Sequence, residues 1–78
     1  MKSEVVELVE FIVSKFIDKD KFTVTEKKDQ LGAVITVTAD SKDLGKIIGK
    51  QGRIAKALRT IVKAASYGDK YFVEIKEN

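Results

Sequence analysis

The stretch Leu44-Gly45-Lys46-Ile47-Ile48-Gly49-Lys50-Gln51-Gly52-Arg53-Ile54 decides how this chain folds and what it can hold. Gly49 and Gly52 enclose Lys50 and Gln51, an apolar run precedes them, and a basic, alanine-rich helical pattern follows. Glycine carries no Cβ, so the backbone can bend tightly there and another chain can approach closely. A helix that starts just after such a bend presents unpaired N–H groups and the positive end of its dipole. Both suit a phosphate, and Lys50 adds a full charge. The stretch points to a nucleic-acid backbone. Gly-x-x-Gly spacing alone would be weak evidence, because turns between helices use glycine for their own sake.

The charge around the stretch supports the same reading. Lys42, Lys46, Lys50, Arg53, Lys56, Arg59 and Lys63 face a single acid, Asp43. Seven cations and one acid give this segment +6, so the rest of a chain with net charge +3 sums to −3. A solvated helix face would interleave glutamates among its lysines, and this one has none. Charge separated in this way marks one anion-binding face. Within it, Lys42 and Lys63 read most simply as solvated surface residues.

Outward from the stretch, the chain divides into six elements. Ser3 to Asp18 predicts a helix, capped by Ser3 and carrying Glu4 and Glu7 in its first turn. Val5, Leu8, Val9, Ile12, Phe16 and Ile17 recur at helical spacing, and Val6 and Val13 widen that face. Phe11 falls on the polar side, where it covers the rim of the core or meets another protein. Phe22 to Glu26 alternates as a strand, 27–30 is a polar turn, and Gly32 to Ala39 is a β-branched second strand. Asp40 or Ser41 caps a short helix that runs through about Ile48. A longer helix follows Gly52 to about Ser66, with Ile54, Leu58, Ile61 and Ala65 as its buried stripe. Arg53, Lys56, Arg59 and Lys63 lie roughly opposite that stripe. Tyr67-Gly68-Asp69 is a turn and Lys70 to Lys76 a last strand, in which either Tyr71 or Phe72 faces inward. The order α-β-β-α-α-β predicts an α+β fold, a three-stranded sheet with three helices packed on one face.

Composition narrows the function classes. Seventy-eight residues are expected to form a single domain over residues 1–78, which would bury only about 60% of its unfolded surface. No histidine or cysteine is present, so disulfide and zinc chemistry have no ligands, and no metal or other cofactor is expected. The acids are scattered among charged turns, which offers catalysis little. Residues 5–17 are interrupted by Glu7, Glu10, Ser14 and Lys15, so neither a signal peptide nor a membrane span is expected. The expectation is a soluble, cytoplasmic chain. A P-loop is excluded because Leu44 stands at its first glycine position and Gln51 at its Ser/Thr position. The RNP1 motif and βαββαβ order of an RRM are also missing.

Gly45 to Gly52, placed between two helices and followed by a strand, resembles the signature of the KH domain, which clamps about four nucleotides with a GXXG loop. The helix and strand ahead of the core unit resemble the type II, bacterial arrangement. The run from Asp43 to Arg59 is similar to the small stand-alone bacterial KH proteins of the KhpA type. In the common KH pattern an isoleucine or valine stands three residues after the second glycine, where this chain has Ala55. The resemblance implies RNA binding without catalysis, in an RNA-chaperone or post-transcriptional role. It implies single-stranded RNA as ligand, with a homodimer or a KhpB-type (Jag) protein as partner.

Residue by residue, Gly49 and Gly52 would let a sugar-phosphate backbone lie against the loop, and Lys50 and Gln51 would contact phosphate oxygens. Gly45, one helical turn before Gly49, would leave room for a base or for close helix packing. Of Ile47 and Ile48, one should enter the core and the other floor an apolar groove. Lys46, Arg53 and Lys56 would flank the phosphates. The competing expectation is a protein-interaction module in an RNA-associated complex, with RNA contact secondary.

Overall fold

The structure, a computed structural model, describes residues 3–49, 52–65 and 70–78. The expected order is present: α1 (Glu4–Val13), β1 (Phe22–Asp29), β2 (Gly32–Ala39), α2 (Ser41–Ile48), α3 (Arg53–Ala65) and β3 (Tyr71–Glu77), with a short 3₁₀ turn at Lys19–Lys21. The expected ends at Ser66 and the Tyr67-Gly68-Asp69 turn lie outside the described residues.

The sheet is mixed, in the order β1-β2-β3. β1 and β2 form an antiparallel hairpin with Val24 opposite Val37, and β3 runs parallel to β2 with Val73 opposite Ile35. Alternation along β2 sends Ala33, Ile35, Val37 and Ala39 inward, and all four are buried. The helices cover this one face and leave the other open. The pairing also corrects the length of β1, expected to end at Glu26. Lys27, Lys28 and Asp29 stay in the ladder because Asp29 closes the hairpin tightly. Its Oδ1 accepts from Leu31 N at 2.7 Å and Gly32 N at 3.1 Å.

α1 begins as expected. The Ser3 hydroxyl accepts from Val6 N at 3.1 Å and donates to Glu26 Oε2 at 3.1 Å, capping the helix and fastening it to β1. It ends at Val13 rather than Asp18. Ser14 Oγ donates to Phe11 O at 2.6 Å, and Lys15 N and Phe16 N turn back to the carbonyls three residues earlier. This tightens the chain out of the α-helix. Phe16 is rotated outward, while Ile17 still enters the core. The buried face is therefore Val5, Val6, Val9 and Val13, with Leu8 and Ile12 only half-buried beside it.

On α3 the buried stripe is Ala55, Leu58 and Val62. Ile54 is half-buried and Ile61 is 38% exposed, so the expected stripe is displaced around the helix. The small Ala55 explains the shift, because a methyl side chain permits the closest approach to the layer beneath. Tyr71 is half-buried against the core, which leaves Phe72 on the open face of the sheet. No helix among the described residues is long and apolar enough to cross a membrane.

Candidate nucleic-acid interface

α2 separates the core from the candidate interface. Its inner side carries Leu44 and Ile47, and Ile47 is completely buried. Ile48, one position further and therefore about 100° around the helix, is 45% exposed. The choice between the two isoleucines resolves accordingly. Ile47 is a core residue out of reach of a ligand, and Ile48 is the one available to floor a groove.

The outer side of α2 is almost bare. At 3.6 residues per turn, Gly45 lies between Ser41 and Gly49, with Ile48 beside it. A Cβ built on Gly45 meets nothing within 4 Å. Close helix packing, one of the two reasons expected for this glycine, does not occur among the described residues. Glycine inside a helix costs about 1 kcal/mol relative to alanine, and no contact among the described residues accounts for that cost.

The bend itself uses both glycines. Gly49 ends α2 in the right-handed region, donating from its N–H to Gly45 O at 2.8 Å. A Cβ on Gly49 would collide with that same carbonyl oxygen. Gly52 has φ of +68°, in the left-handed region that glycine adopts without strain. Its N–H donates to Ile48 O at 2.8 Å and its carbonyl accepts from Lys56 N at 2.9 Å, so this one residue closes α2 and opens α3. With no side chain at the cap position, nothing from Gly52 itself covers the first N–H groups of α3. Lys50 and Gln51, between the glycines, lie outside the described residues.

The flanking cations are all at the surface. Arg53, Lys56, Arg59 and Lys63 are exposed on α3, within roughly a 120° arc facing away from the core. Lys46 is exposed on α2, where its Nζ lies 3.5 Å from Asp43 Oδ1. Asp43 is a buried acid at the inner edge of the helix, and it holds Lys46 from below. In the sequence Asp43 stands out only as a lone acid among cations, although its i,i+3 spacing from Lys46 is itself a signal. Among the described residues, no group of histidine, cysteine, aspartate or glutamate side chains is placed to hold a metal ion.

The comparisons with known proteins converge. The family model described as KhpA/KhpB, KH domain, matches residues 6–75. An RNA-binding protein KhpA from Aquifex aeolicus is 45% identical over 74 residues, covering 91% of this chain and 94% of that protein. Its counterpart in Clostridium perfringens is 44% identical over 73 residues, with 92% and 87% covered. That of Treponema pallidum is 36% identical over 72 residues, with 88% and 90% covered. No solved structure matches the chain.

Proposed function

The chain belongs to the KhpA/KhpB KH-domain family, and on that premise we propose that it is a non-catalytic RNA-binding protein of the RNA-chaperone or post-transcriptional class. It is a single KH domain over residues 1–78 that works in the cytoplasm. Gly49, Lys50, Gln51 and Gly52 clamp the backbone of single-stranded RNA. Gly45 and Ile48 form the floor on which a base rests, and Lys46, Arg53 and Lys56 extend the phosphate track. Ile47 supports the floor from the core.

The observation that carries this reading is Gly45, a helix-interior glycine whose added Cβ would meet nothing within 4 Å among the described residues, on the bare side of a helix flanked by cations. A surface kept free of side chains at a cost in helix stability suits a ligand that must lie flat against the backbone. Phosphate contacts supply most of the affinity, so binding weakens steeply as salt rises. One four-nucleotide footprint is small, and useful affinity comes from joining two of them. A homodimer or a KhpB-type (Jag) partner supplies the second.

The test changes Lys50→Asp together with Gln51→Asp and titrates single-stranded RNA at two salt concentrations. Both changes lie at the loop, so the melting temperature should hold while affinity at low salt falls by at least about ten-fold. A folded double variant that binds as tightly as the parent would overturn the clamp.

A further inference from the structure

The open face of the sheet carries a pattern that the groove does not use. Strand alternation places Thr23, Thr25, Thr36 and Thr38 on it, the polar β-branched surface expected of a sheet face in water. At one end the pattern changes. Lys27, Val34 and Phe72 stand in a row across β1, β2 and β3. Phe72 is 59% exposed, and Val34 lies beside it at one strand spacing, about 4.8 Å. Lys70 precedes Phe72 by two residues and holds the end of β2 through Ala33 N donating to its carbonyl at 2.8 Å. A Cβ on Gly32 would strike the Lys70 carbonyl oxygen first and its Cβ next, so Lys70 lies against Gly32 at this end, and by strand alternation it shares the side of Phe72.

Among the described residues the charges at this end are not balanced. Asp29 is engaged by the two backbone amides of its turn, and Glu74 pairs with Lys76 at 3.2 Å. Lys27 and Lys70, on either side of the Val34–Phe72 pair, have no ion pair among the described residues. An exposed aromatic ring near two cations that make no ion pair among the described residues, on a flat face bare of helices, has the chemistry of a single-strand platform. The ring stacks a base and the ammonium groups meet the flanking phosphates. Leu31, 78% exposed, stands in the β1–β2 turn at this end, but the face itself offers a protein partner only one ring and one half-buried valine, with two lysines in the way.

We propose that Phe72, with Lys27 and Lys70, is a second RNA contact on the face of the sheet opposite the helices. A strand longer than the groove's four-nucleotide footprint passes over the β3 edge, and one of its bases stacks on Phe72. The inference rests on the RNA-binding reading above and extends the path of that RNA.

The experiment compares a tetranucleotide with a dodecanucleotide of uridine on the full chain. Phe72→Ala should leave tetranucleotide affinity unchanged and lower dodecanucleotide affinity by about ten-fold. The chain has no tryptophan, so Phe72→Trp provides a single reporter. Its emission should be quenched at saturation by the dodecanucleotide and remain steady with the tetranucleotide. Unchanged dodecanucleotide affinity for Phe72→Ala, or unquenched emission from Phe72→Trp, overturns the proposal. Equal loss on both lengths also overturns it, because a residue of the groove itself behaves that way. If the parent binds neither oligonucleotide, the RNA reading fails as a whole. If the parent binds and only the Lys50→Asp, Gln51→Asp variant loses the tetranucleotide, the groove stands and Phe72 is judged by the longer strand alone.

Discussion

On its inner side α2 presents Leu44 and Ile47 to the core, whereas on its outer side the same eight residues present Gly45 and Ile48 to solvent. Ile47 and Ile48 are identical in chemistry and adjacent in the chain, yet one is fully buried and the other nearly half exposed. The inner side follows the ordinary logic of folding, in which apolar volume is packed to crystal-like density. The outer side gives up helix propensity at Gly45 and leaves an isoleucine uncovered. A helix serving stability alone would carry alanine and a charged residue there. The contrast separates residues that hold the fold from residues that await a ligand, and it can be tested one substitution at a time.

The largest effect belongs to the inner side. Ile47→Ala removes a fully buried branched side chain, which costs about 2–5 kcal/mol. A domain of this size has a total stability on the order of 5 kcal/mol, so urea denaturation should find a large part of it gone and the midpoint moved far towards zero urea. The milder Ile47→Val, at about 0.5–1.5 kcal/mol, keeps the comparison measurable. Ile48→Ala should move the urea midpoint far less, within about 0.5 kcal/mol, while weakening RNA binding. Equal destabilisation by the two alanine substitutions would erase the distinction between the sides.

Gly45→Ala comes next, and here stability and binding should move in opposite directions. The added methyl meets nothing among the described residues, so the helix gains about 1 kcal/mol and the melting temperature rises by about 4–8 °C. The same methyl occupies the space assigned to a base, and RNA affinity should fall roughly ten-fold. Calorimetry and RNA titration on one preparation settle the matter. A variant that is more stable and binds as well would return Gly45 to the category of neutral surface.

How much of this was legible in the sequence depends on which physical signal each residue carries. The order of elements was readable because alternation in Gly32–Ala39 and glycine punctuation around 49–52 are local signals. The bounds of β2 and α2 came out as expected for the same reason. The rotation of α3 was not readable. Hydrophobicity favoured Ile54 and Ile61 over Ala55, but closest approach between layers selects the small residue. The Ala55 that departs from the common KH pattern is accordingly a core residue, 5% exposed. The end of α1 was hidden in a single hydroxyl, Ser14 Oγ reaching back to Phe11 O. At the interface, the sequence supplied the residue types and their charge, whereas the Ile47/Ile48 choice needed the helix's rotation about its axis. That rotation is set by contacts with residues distant in the chain.

The smallest expected effect is also the most specific in form. Lys56 is exposed on α3, on the cation face rather than against the core. Lys56→Ala should leave the fold within about 0.5 kcal/mol of the parent and lower RNA affinity only modestly at moderate salt. Its signature is the slope of log affinity against log salt. Losing one phosphate contact on a single strand releases fewer counterions, so the slope should become shallower by about 0.7. Ile48→Ala should lower affinity while leaving that slope in place, because an apolar floor displaces no counterions. Titrations across a salt series thus distinguish the two kinds of outer residue: the lysine changes the slope and the isoleucine shifts the line. If Lys56→Ala only shifts the line in parallel, Lys56 contacts no phosphate, and the track past Gly52 must be drawn through Arg53 alone.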